Sequence, residues 1–344
     1  MIKRNSVNSY LSSAKNTFLS FSLMAICGSA FAQTAPAEIG TVEFVSPELS
    51  SVIKKTAKVE SIAQGFQFTE GPVWVEKSKM LLFSDVPGNT IYKWTAEKGK
   101  EIYVKPAGYT GAAARSGFVG SNGLVITPDG KLLICQHGDR RVARMDAGLE
   151  APESKFVTVA DRLNGKRLNS PNDLVLHPNG DMYLTDPSYG LSGNGKGPDR
   201  ETPYQGVYKI KKSGEVELLV DSIEQPNGIA FFPGRKTMLI SNSDNAKKRW
   251  YVYDVTTDGR LANGKVFYDV SSERGAGGCD GLKIDKNGNV FATGPGGIWI
   301  FSKAGKLMGK IKVNGQVAAN CAFSPDEKTL YITASTQLLR LKMR

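Results

Sequence analysis

The stretch Asn122-Gly123-Leu124-Val125-Ile126-Thr127-Pro128-Asp129-Gly130-Lys131-Leu132-Leu133-Ile134-Cys135 decides the fold. It reads as an amide residue, a short apolar strand, a tight turn and a second apolar strand. Gly130 supplies the positive backbone angle that such a turn needs. The same opening recurs at Glu70-Gly71-Pro72-Val73, Asn172-Asp173-Leu174-Val175, Asn227-Gly228-Ile229-Ala230, Asp280-Gly281-Leu282-Lys283 and Asn320-Cys321-Ala322-Phe323. Successive spacings are 52, 50, 55, 53 and 40 residues. The turn recurs as well, for example at His177-Pro178-Asn179-Gly180 and Asp285-Lys286-Asn287-Gly288. Each unit continues through a polar loop to a third strand (Arg141 to Met145 in the second unit) and a fourth (Phe156 to Ala160). Short strands at this period, without helical patterning, predict an all-β chain folded as a six-bladed β-propeller. The last unit runs out after three strands. Thr56 to Ile62 lies where its missing outer strand belongs, so the ring is expected to be closed by an N-terminal strand.

A blade is an antiparallel meander, so its loops alternate between two ends. The residue that opens strand one and the loop between strands two and three share an end; the turn after strand one lies at the other. The six opening residues should therefore converge on one axis, with His137 facing them and His177 at the far end. Asn and Asp also open strands simply because they suit turns, but that does not account for Glu70 before Gly71-Pro72. A ring of two carboxylates and several amide oxygens is hard-cation chemistry. With no sulfur and little imidazole nearby, Ca2+ is favoured over zinc.

The first 32 residues read as a secretory signal: Lys3, Arg4 and Lys15, an apolar run from Phe18 to Phe31, and Ala30-Phe31-Ala32 before Gln33. Cleavage after Ala32 implies a periplasmic or secreted protein with one domain over residues 33–344. The rival is a lipoprotein anchored through Cys27, which Ile26 fits poorly. The apolar run is too short for an integral membrane span. Cys135, Cys279 and Cys321 remain, an odd number without paired spacing. They are expected as buried thiols, with a Cys279–Cys321 bridge as the alternative. The formal net charge of +11 comes without a dense basic run interleaved with aromatics, so nucleic acid is not an expected partner. The oligomeric state is not encoded in any of these features.

At these residues the chain resembles the gluconolactonase branch of the SMP-30/gluconolactonase/luciferin-regenerating family of six-bladed propellers. The resemblance is carried by Glu70-Gly71-Pro72-Val73-Trp74, Leu82-Phe83-Ser84-Asp85-Val86-Pro87, His137-Gly138-Asp139-Arg140-Arg141-Val142, Gly165 through Asp173, Thr185-Asp186-Pro187-Ser188-Tyr189-Gly190, Pro226-Asn227-Gly228 and Asp280-Gly281-Leu282. It implies one divalent metal at the axis, usually calcium, held by Glu70, Asn172, Asn227 and Asp280, and a lactonase activity. Gln136 and Asp139 depart from the family pattern, and the loop Pro106 to Gly120 looks longer than usual.

The chemistry expected is hydrolysis of a sugar lactone such as glucono-1,5-lactone. A metal would polarise the carbonyl and Asp280 would act as general base, with His137 as the alternative proton acceptor. Asn122, Arg140 and Tyr189 are expected to hold sugar hydroxyls, and Arg140, Arg141 and Arg167 to favour acidic sugars. Two other readings stay open: a calcium-stabilised binding module, and a metal hydrolase for another lactone or a phosphoester.

Overall fold

The computed structural model describes residues 37–115 and 117–344. The signal sequence ending at Ala32 and the Cys27 anchor lie outside the described residues. Four four-stranded antiparallel sheets follow one another, at 69–104, 121–160, 174–220 and 226–269. A fifth sheet has nine strands. It joins the meander 282–313 to the strands Ala318–Phe323, Thr329–Ala334 and Gln337–Lys342 through two N-terminal strands, β1 (Glu38–Phe44) and β2 (Val59–Gln64). The innermost strands touch in cyclic order: Thr69–Val75, Ser121–Ile126, Leu174–Leu176, Pro226–Phe231, Leu282–Ile284 and Ala318–Phe323. The last of these touches the first. The chain is an all-β propeller. Among the described residues no helix is long and apolar enough to cross a membrane.

The second strands are continuously buried for a physical reason. Met80–Asp85, Leu132–Gln136, Met182–Asp186, Val290–Gly294 and Thr329–Ala334 are buried at every position. Each has a neighbouring sheet on both faces, which removes the apolar–polar alternation of a half-exposed strand. Leu82, Ile91, Leu124 and Ile134 fill one such seam. Burying side chains of this size contributes about 1.5–3 kcal/mol apiece. Cys135, Cys279 and Cys321 are buried free thiols, with no Cys279–Cys321 bridge.

The residues that open each repeat do not all stand before a strand. Glu70, Asn122, Asn227 and Asn320 lie inside their strands, beside register shifts at Glu70/Val73, Ser121/Leu124, Pro226/Ile229 and Ala318/Asn320. A bulge there re-aims the side chain out of the normal pleat. The following glycine is required by packing rather than by a turn. A Cβ on Gly71 would stand 1.9 Å from the Asn122 carbonyl oxygen, and one on Gly228 2.5 Å from that of Asp280. Hydroxyls on the preceding sheet's second strand fix the same carbonyls. Ser84 donates to Asn122 O at 2.8 Å, Thr185 to Asn227 O at 2.6 Å and Ser241 to Asp280 O at 2.6 Å.

β2 pairs antiparallel with Gln337–Lys342, with Glu60 opposite Arg340 and an Arg340–Glu60 ion pair at 2.6 Å. The N-terminal strand thus completes the last meander, a few residues later than Thr56 to Ile62. β1 was not anticipated. It adds to Leu307–Val313 as an extra outer strand and joins the two meanders into one sheet. Removing residues 37–64 would bare two sheet edges. We expect that truncation to lose its cooperative thermal transition by circular dichroism; a cooperative, wild-type-like melt would show that the ring closes without these strands.

Candidate active site and metal centre

One cavity of about 620 Å³ opens at the axis. Its floor carries Glu70, Asn122, Asn172, Asn227 and Asp280, five of the six residues that open the repeats. Glu70, Asn122, Asn172 and Asn227 are each at most 3% exposed. His137 and Tyr189 stand over the floor, and Phe68 and Phe118 form an apolar wall with ring centroids 5.3 Å apart.

The floor is an unsatisfied acceptor set. Asn122 Oδ1, Asn227 Oδ1 and Asp280 Oδ1 are shut off from solvent and have no hydrogen-bond partner. Native interiors seldom leave such atoms unpaired, because the desolvation penalty is not recovered. Burial pushes the Glu70 carboxyl up from the ordinary carboxylate range. The Asp173 charge adds to this, and the Gly71 N–H (2.9 Å) and the Asn320 amide (3.3 Å) offset part of it. Burial pushes Asp280 up well above that range, with the charges of Glu70 and Asp173 adding. Like charges on one buried floor oppose each other's ionisation; a divalent cation is the partner that lets both ionise. Among the described residues no three His, Cys, Asp or Glu side chains group to hold a metal. An ion here therefore depends on the asparagine oxygens, which suits a hard cation and not zinc. Glu70, Asn172, Asn227 and Asp280 fit that role.

His137 is fully buried, and its Nδ1 lies 3.2 Å from the Phe118 carbonyl oxygen. A carbonyl only accepts, so Nδ1 carries the proton and Nε2 keeps its lone pair. Nε2 has no partner. Burial holds the imidazole down at about 4, so it is neutral at pH 7. The Tyr189 phenol lies 3.2 Å from Gln225 Oε1, and burial raises its pKa, leaving a neutral hydroxyl at the cavity.

The profile of the SMP-30/Gluconolactonase/LRE-like region matches residues 68–336. The chain belongs to this family. It is 36% identical over 313 residues to a gluconolactonase of Zymomonas mobilis, covering 89% of this chain and 87% of that protein. A gluconolactonase structure from Xanthomonas campestris superposes with a TM-score of 0.76 at 24% identity, covering 91% of this chain and 99% of that one. A calcium-binding regucalcin structure from Agrobacterium tumefaciens gives 0.64 at 19% identity, covering 82% and 92%. The last two likenesses bear on the fold alone.

Within this SMP-30/gluconolactonase framework, two sequence expectations are corrected. Arg140 does not reach the cavity. It is 5% exposed, and its guanidinium donates to Leu168 O at 2.8 Å and Asp199 O at 2.7 Å, with Glu201 at 3.4 Å. Arg141 and Arg167 are likewise engaged, by Gln136 and Thr158 and by the Asp139 carbonyl, so these three arginines do not define an acidic-sugar site. Polar residues that end the second strands serve backbone. Asp85 accepts from Gln67 and Phe68 N–H, Asp186 from Asn169 N–H, and Asn242 from Gln225 N–H.

The sixth repeat residue, Asn320, positions rather than lines. Its Nδ2 donates to Glu70 (3.3 Å) and Asp173 (3.4 Å), while its Oδ1 accepts from Cys321 N–H and Lys283. Asp173 and Lys283, 3.8 Å apart, were missed, although both break the repeat. Asp173 stands where four repeats have glycine, and Lys283 where the other five have an apolar residue. Phe68, Phe118 and Lys248 were also missed as lining residues. His177 lies at the far end, its Nδ1 3.4 Å from Asn179 N.

The buried neutral His137 has a pH consequence. Its folded pKa, about 4, is depressed below the unfolded value of about 6.5, so the unfolded chain takes the proton first. The stability this group contributes is present above pH 6.5 and lost as pH falls towards 4, by up to about 3 kcal/mol. Urea unfolding of His137→Gln should fall less steeply than wild type between pH 6.5 and 4; an identical pH profile would refute the buried neutral imidazole.

Proposed function

We propose that the protein is a metal-dependent sugar lactonase, with Ca2+ as the ion and a lactone such as glucono-1,5-lactone as substrate. Membership of the gluconolactonase family makes it a hydrolase acting on ester bonds. The observation that carries the finer reading is the floor: unpartnered oxygens of Asn122, Asn227 and Asp280 beside buried Glu70, under a neutral histidine with a free Nε2. Two meanders share the nine-stranded sheet, so the domain over residues 33–344 reads as a six-bladed propeller. The leader ending at Ala32 supports export to the periplasm or the medium, with lipidation at Cys27 as the competing route.

Glu70, Asn172, Asn227 and Asp280 would hold the ion. When bound, it supplies Lewis-acid polarisation of the lactone carbonyl. The chain's own residues do the rest. Asp280 Oδ1, unpartnered and at the cavity, orients the attacking water and takes its proton. His137 Nε2 is the second acceptor, held in the required tautomer by Phe118. Asn122 and the Tyr189 hydroxyl meet sugar hydroxyls, while Phe68 and Phe118 cover the C–H face of the ring and exclude water.

The test is initial-rate hydrolysis of glucono-1,5-lactone against a no-enzyme blank, with calcium, with chelator, and with Glu70→Gln and Asp280→Asn. Acceleration should vanish in chelator and fall at least about 100-fold in kcat for Asp280→Asn. Full activity in chelator below the melting temperature would overturn metal dependence. Calcium-dependent stability with no hydrolysis of any lactone would instead favour the binding module.

A further inference from the structure

One cationic side chain among the described residues lining the cavity is not explained by the floor chemistry: Lys248. It lies in the loop between Thr237–Asn242 and Arg249–Val255 of the fourth sheet. Its neighbours in sequence are paired, Lys247 with Glu224 and Arg249 with Asp269 at 2.8 Å. The Lys248 ammonium has no hydrogen-bond or ion-pair partner among the described residues. The cavity also takes Ser243 and Asn245 from the same loop and the glycines 275, 277 and 278, none of which carries charge.

Position gives this lone charge a meaning. Phe68 precedes Thr69–Val75 in the first sheet, and Lys248 belongs to the fourth. In the ring of innermost strands, two other strands separate those of these two sheets in either direction. Phe68 and Lys248 therefore reach the cavity from opposite sides of the ring around the floor of carboxylate and amide oxygens. A neutral sugar lactone needs donors and acceptors for its hydroxyls, and Asn122, Tyr189, Ser243 and Asn245 meet that need. It gives an unpaired ammonium nothing to neutralise. Lys248 is half-buried, and a cation with no partner at a binding cavity is matched by an anionic group, to which its hydrogen bonds are charge-assisted and stronger than those to a hydroxyl.

We propose that Lys248 is a specificity-determining residue and that the preferred lactone carries an anionic group, carboxylate or phosphate, at the end remote from the reacting ester. The assignment rests on the lactonase reading above. It also relocates acidic-sugar selectivity from the three arginines, which are engaged elsewhere, to a lysine on the opposite part of the wall.

The test compares wild type, Lys248→Gln and Lys248→Arg on three lactones: glucono-1,5-lactone, its 6-phosphate and D-glucaro-1,4-lactone. Wild type should favour an anionic lactone. Lys248→Gln should raise its KM about tenfold with kcat little changed, leaving the neutral lactone unaffected, and Lys248→Arg should retain the preference. The two anionic lactones distinguish phosphate from carboxylate. Equal changes on neutral and anionic lactones, or none on either, would overturn the proposal. If wild type hydrolyses none of the three, the lactonase reading fails, and calorimetric binding of 6-phosphogluconate and glucarate decides Lys248 alone. Binding weakened about tenfold in Lys248→Gln sustains the anion site; absent or unchanged binding removes it.

Discussion

Buried Glu70 and half-buried Asp280 line one cavity floor, and each makes the other's charge harder to bear. The rest of the structure is arranged to hold them there. Bulges turn the repeat residues towards the axis, glycines let neighbouring strands approach within contact, and Ser84, Thr185 and Ser241 hold the carbonyls of Asn122, Asn227 and Asp280. Beneath lies Asn320, which turns its NH2 to the carboxylates because its oxygen is already engaged, with Lys283 as the counter-charge to Asp173. A buried carboxylate pair is costly unless compensated. Here amides compensate part of the cost, and the unpartnered oxygens of Asn122, Asn227 and Asp280 are where the proposed cation would complete it.

Most of the site was legible because it is repeated. Glu70, Asn122, Asn172, Asn227 and Asp280 occupy one address in successive units, and the structure brings all five to one cavity. His137 followed from loop parity, since a meander returns that loop to the same end. What was not legible had no repeat to expose it. β1 is a lone strand whose partner, Leu307–Val313, is more than 260 residues away in sequence. Arg140 was misread because a polar loop looks the same whether its side chains face a cavity or tie down backbone; only the positions of the Leu168 and Asp199 carbonyls decide that. Asp173 and Lys283 were visible as departures from the pattern, and the two are linked by an ion pair between a half-buried ammonium and a buried carboxylate.

The cavity is asymmetric above a nearly symmetric floor. Phe118 arrives on the long loop from Pro106 to Gly120 and does two things at once: its ring builds the apolar wall, and its carbonyl sets the His137 tautomer. Shape and proton inventory are thereby linked through one residue. The fold supplies the axis, and these loops supply selectivity.

The proposed lactonase needs a cation at the axis, and direct calcium binding tests this most simply. Equilibrium dialysis of chelator-treated protein should retain one calcium per chain in wild type. Retention should persist in His137→Gln and vanish in Glu70→Gln/Asp280→Asn. No retention by folded wild type, or undiminished retention by the double variant, would contradict it.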